Sequence, residues 1–94
     1  MENNTSSLIV DLPFMKLKFV NNNLNEQLLH ISSELQEARE AYFSESIERV
    51  AEEIADIAQS AITALHIIER QHGIHPIDVV TRVNNKNILR GYDI

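Results

Sequence analysis

Two runs of apolar residues, each stepping by three and four, commit most of this chain to α-helix. The first run is Leu24, Leu28, Ile31, Leu35, Ala38 and Tyr42. The second is Ile47, Val50, Ile54, Ile57, Ala61, Leu65 and Ile68. At about 3.6 residues per turn, each run forms one stripe on a helix. Extending the first stripe would place Glu45, Arg49, Glu52 and Asp56 in a core, so the phase breaks between Tyr42 and Ile47. A turn is expected near Ser44-Glu45-Ser46, where a serine caps the second helix and Glu45 and Glu48 favour its positive end. Glycine and proline number two each, which leaves few breakpoints inside the helices. Gly73 suits the end of the second helix, and Pro76 with Asp78 suits the first turn of a third. That third helix carries Ile77, Val80, Asn84 and Ile88 on one side and ends near Gly91.

Ahead of the helices, residues 1–7 are polar, and residues 8–20 are mixed, apolar and proline-containing, an arm or a short strand. Asn21-Asn22-Asn23 is a loop or a helix start, with asparagine as N-cap. The expected division is an N-terminal arm, 1–20, and a helical domain, 21–94. The expected fold is all-α, a helical hairpin plus a third helix. A chain of 94 residues buries a modest core, so pairing of two hairpins into a four-helix bundle is expected on dimerisation.

Composition narrows the function. A formal net charge of -6 argues against free nucleic acid as a partner, because phosphate binding needs a basic surface. The absence of cysteine excludes disulfides and cysteine-ligated metal centres. No apolar run approaches the roughly 20 residues of a membrane span. Leu8-Ile9-Val10 is interrupted by Asp11 and Pro13 and follows no basic region, unlike a signal peptide. A soluble, cytoplasmic protein is expected, with no membrane partner.

Each long helix carries an acidic pair, Glu34 with Glu37 and Glu53 with Asp56. Residues three apart are surface neighbours, with Cβ atoms about 5–6 Å apart. Both pairs lie on the same flank, roughly 80–140° from their stripe centres. In an antiparallel hairpin with its stripes face to face, equal flanks point to one side. The pair midpoints, 35.5 and 54.5, average to position 45 in the turn, so the pairs also share one height. Four carboxylates then converge, and their repulsion calls for a hard divalent cation such as magnesium. The plainer alternative is a set of ordinary solvated carboxylates.

With these residues in view, the chain resembles the MazG-like nucleoside triphosphate pyrophosphohydrolases, an all-α superfamily that includes dimeric dUTPases. Their Glu-Glu-x-x-Glu, spacer, Glu-x-x-Asp hallmark is matched by Glu34-x-x-Glu37 and Glu53-x-x-Asp56, with fifteen residues between the halves. Ser33 stands where the family has its first glutamate. The ending Lys86-Asn87-Ile88-Leu89-Arg90-Gly91-Tyr92 is similar to the Lys-Asn-x-x-Arg-Gly-Tyr of many short members. The resemblance covers roughly residues 24–92. It implies a homodimeric or homotetrameric enzyme that uses magnesium to hydrolyse a nucleoside triphosphate to monophosphate and pyrophosphate. It further implies Glu34, Glu37, Glu53 and Asp56 as metal-holding and catalytic residues. For the C-terminal segment, the spacing of Lys86 and Arg90 on one helix face, with Asn87 alongside, suits phosphate oxygens, or else pairing with acids of the first or second helix. The resemblance implies Tyr92 as a further substrate-binding residue. The competing reading is a non-catalytic helical module for oligomerisation or nucleotide binding.

The remaining polar groups give weaker signals. Glu69-x-x-His72 is a single copy of a motif that di-iron bundles need twice, and suits a surface. His30, one turn before Glu34, suits polar surface or the surroundings of a metal. Tyr42 and Phe43 suit packing. Arg49 shares the acidic flank of the second helix and either neutralises a carboxylate or reaches a phosphate.

Overall fold

The computed structural model describes residue 14 and residues 16–92, which form three α-helices and no strand. α1 is Leu24–Ser44, α2 is Ile47–His72 and α3 is Pro76–Leu89. The boundaries follow local chemistry. The Asn23 side chain accepts from the Glu26 amide at 2.8 Å, and the Glu26 carboxylate accepts from the Asn23 amide at 3.0 Å, a reciprocal cap. Ser46 caps α2 by accepting from the Arg49 amide at 3.2 Å. Only Glu45 and Ser46 separate α1 from α2, so the chain must fold straight back on itself. Gly73, in the left-handed region at φ 69°, ends α2, and Pro76 opens α3 where a missing N–H costs nothing.

The seam between α1 and α2 is not the one the stripes predict. Gln27, Glu34, Ala38 and Ala41 are buried on α1, and Glu53, Ser60, Thr63, Ala64 and Ile67 on α2. For most positions the buried line sits one residue before the expected stripe. Leu28, Leu35, Tyr42, Ile47 and Ile54 remain more than half exposed. The cause is size: Ala38, Ala41, Ser60 and Ala64 let the helix backbones approach, and the bulky residues are left beside the seam. Near the turn they line an open apolar groove of about 320 Å³, among them Leu35, Tyr42, Phe43, Val50, Ile54 and Ile57. α3 touches α2 alone and buries no residue fully; Ile77, Val80 and Ile88, which lie along one side of it, are exposed. No helix among the described residues is long and apolar enough to cross a membrane.

Residues 16–22 are neither strand nor helix. They lie along α2, whose side chains catch their carbonyls. Gln59 donates to the Lys16 carbonyl at 2.7 Å and Thr63 to the Lys18 carbonyl at 3.0 Å. The Arg70 guanidinium donates to the carbonyls of Val20 and Asn22. Phe19 adopts φ 63°, a left-handed backbone that an aromatic side chain rarely takes, and sets its ring edge-on to His30 with centroids 4.7 Å apart.

Candidate functional site

The displaced seam changes the setting of the acids. Glu34 and Glu53 lie inside the hairpin, at 6% and 4% exposure, rather than on a solvated flank. Glu37 is exposed and Asp56 half-buried. Glu37 and Glu53 meet across the seam. They come close enough that a protonated Glu37 can donate to the Glu53 carboxylate. That bond, then the Glu53 charge, then partial desolvation and the charges of Glu34 and Glu40, raise the Glu37 carboxyl above its ordinary value of 4.5. Glu37 thus feels the charges of both Glu34 and Glu53. Asp56 has its contact elsewhere, with Lys18 Nζ at 3.9 Å.

Glu34 is the least satisfied group. Its Oε1 is buried with no hydrogen-bond partner, and its Oε2 stands 3.4 Å from His30 Nε2, itself buried and unpartnered. Buried polar atoms are seldom left so. Glu53 is better served, since Arg49 donates to it at 2.8 Å. Arg49 also reaches Glu52 at 2.6 Å and Glu45 at 3.5 Å. Hydrogen bonds to Glu52 and Glu53 hold its guanidinium protonated beyond its already high ordinary value. Of the two roles left open for Arg49, the contacts it makes here are with carboxylates. Among the described residues, no group of three or more His, Cys, Asp or Glu side chains is placed to hold a metal ion as it stands.

Other singled-out residues fall apart from this cluster. Ser33 donates to the His30 carbonyl at 2.8 Å, a bond within its own helix. Lys86, Arg90 and Tyr92 are exposed on or just after α3, which does not touch α1, and no ion pair joins Lys86 or Arg90 to an acid of α1 or α2. The Asn87 carbonyl accepts from the Tyr92 amide at 2.8 Å across Gly91. Glu69 pairs with His75 at 2.8 Å and approaches His66 at 3.7 Å, bracing the α2–α3 junction rather than joining His72. The contribution of Lys18 and Phe19 was not visible in the sequence, because neither belongs to a periodic pattern.

Comparison with known proteins finds no family model, no curated protein and no solved structure that matches this chain.

Proposed function

We propose that this protein is a magnesium-dependent nucleoside triphosphate pyrophosphohydrolase of the MazG-like kind, releasing a nucleoside monophosphate and pyrophosphate. The observation that carries the reading is Glu34, a carboxylate buried in a helical hairpin with one oxygen unpartnered, beside Glu37 and Glu53 pressed together across the seam. A fold gains nothing in stability from such an arrangement. An all-oxygen donor set of this kind fits a hard divalent cation. Glu34, Glu37, Glu53 and Asp56 would hold it. When bound, magnesium supplies charge to polarise the phosphates and to lower the pKa of a water. The chain's own part is to fix these carboxylates on two helices joined by a two-residue turn, so that their positions are set by backbone packing. Lys86, Asn87, Arg90 and Tyr92 remain the proposed substrate contacts on the C-terminal side.

The exposed bulky apolar residues support the companion proposal that two or more copies assemble, covering Leu28, Leu35 and Ile54 in a four-helix bundle. The second functional reading, a non-catalytic helical module, draws on Arg49, which already neutralises Glu53 without any ion. Magnesium calorimetry combined with turnover of Asp56→Asn and Glu53→Gln separates the two. The enzyme reading expects specific magnesium binding and a loss of at least about a hundredfold in rate with folding retained. The module reading expects no specific binding, and wild-type rates in these variants would show the site to be misassigned.

A further inference from the structure

The segment of residues 16–22 is anchored in an unusual way. Gln59, Thr63 and Arg70 hold it by its backbone carbonyls, so anchoring leaves most of its side chains uncommitted. Two of those side chains meet the neighbourhood of the acids. Phe19 lays its ring, half exposed, on His30, which stands one turn before Glu34. Lys18 brings its ammonium to 3.9 Å from Asp56 Oδ1, with both side chains about half exposed. His30 and Glu37 are seven positions apart and share a helix face, so the arm lies along the same side of the hairpin as the acids.

Two cations therefore bracket the acidic row of α2, Arg49 toward the turn and Lys18 toward the arm. They differ in what they have left to give. Arg49 is engaged by Glu45, Glu52 and Glu53. Lys18 has three N–H donors and, among the described residues, one ion-pair contact at the outer edge of range, too exposed to add much stability. From this placement we infer that the segment of residues 16–22 is a nucleotide-recognition wall, in which Lys18 receives the substrate's phosphate oxygens. This rests on the pyrophosphohydrolase reading. Once Asp56 turns to the metal, its hold on Lys18 relaxes and the ammonium is left facing the triphosphate, which carries more negative charge than one divalent ion offsets. Lys18 is a binding residue in this account, and sequence spacing gives no hint of it.

Calorimetry with magnesium and non-hydrolysable triphosphate analogues of the common nucleosides tests this on wild type, Lys18→Gln and Lys16→Gln. Lys16 is the control, exposed on the same arm and paired with no acid among the described residues. The inference expects Lys18→Gln to weaken analogue binding about tenfold or more, which is roughly 1.4 kcal/mol, with the affinity for magnesium alone retained or increased. Lys16→Gln should stay within about twofold of wild type, and Lys18→Arg should recover most of the loss. Equal losses in both glutamine variants would reduce the effect to net charge and overturn the assignment. Unchanged analogue affinity in Lys18→Gln, with or without a lowered melting temperature, would also overturn it and leave the parent reading intact. A wild-type protein that binds magnesium but none of the analogues would remove the parent reading and this inference together.

Discussion

At the scale of single residues, the Glu37–Glu53 contact makes the clearest claim. The Glu37 carboxyl binds its proton more tightly in the folded protein than in the unfolded chain. A group of that kind favours folding below its unfolded value of 4.5, and the advantage is lost as pH rises through the raised folded value. At neutral pH the ionised pair opposes folding. Glu37→Gln should therefore melt higher than wild type near pH 7, with the difference shrinking as the pH falls through the raised folded value toward 4.5. Differential scanning calorimetry at several pH values reads this directly. A variant that melts lower than wild type at pH 7 would mean that the two carboxyl groups are not in contact. Single residues were also where the sequence was most legible. Asn23, Ser46, Gly73 and Pro76 mark the helix ends as expected, because caps act through the nearest backbone groups and need no tertiary context. The burial of Glu34 and Glu53 was not legible, since it depends on how far α1 rotates against α2.

At the scale of elements, three helices and the turn between the first two could be read from periodicity, and the face each helix buries could not. An apolar stripe records where bulky side chains gather. The seam formed instead where Ala41, Ser60 and Ala64 allow close approach, each one position before the stripe. Of the arm-or-strand alternative for residues 8–20, residues 8–13 and 15 lie outside the described residues; the path of residues 16–22 was not legible, because their partners are scattered donors on α2, with Gln59, Thr63 and Arg70 forming no motif. Those donors make a prediction of their own. Thr63 is fully buried and its hydroxyl serves the Lys18 carbonyl. Thr63→Val should cost about 1 kcal/mol of stability, the net worth of one hydrogen bond, and loosen the arm. Limited digestion with trypsin should then cut faster after Lys16 and Lys18. Cleavage at the wild-type rate would mean that this bond does not hold the arm.

At the scale of the whole molecule, the hairpin is under-covered. Among the described residues the buried apolar side chains are Ala38, Ala41, Ala64 and Ile67, whereas Leu35, Tyr42, Phe43, Ile54 and Leu89 are among many large ones left exposed. Burial gains roughly 25 cal/mol per Å² of apolar area, which favours assembly over such a monomer. Light scattering at micromolar concentration should give a dimer or a dimer of dimers, against a chain mass of 10.7 kDa, and Ile54→Glu should shift it toward the monomer. A strictly monomeric wild type would contradict the assembly. The function proposed for that assembly has a more direct test. The purified protein, incubated with magnesium and each common nucleoside triphosphate in turn, should release pyrophosphate and the monophosphate from at least one of them, and stop when the metal is chelated. Release of orthophosphate and diphosphate alone, or of no product from any triphosphate, would contradict the central claim.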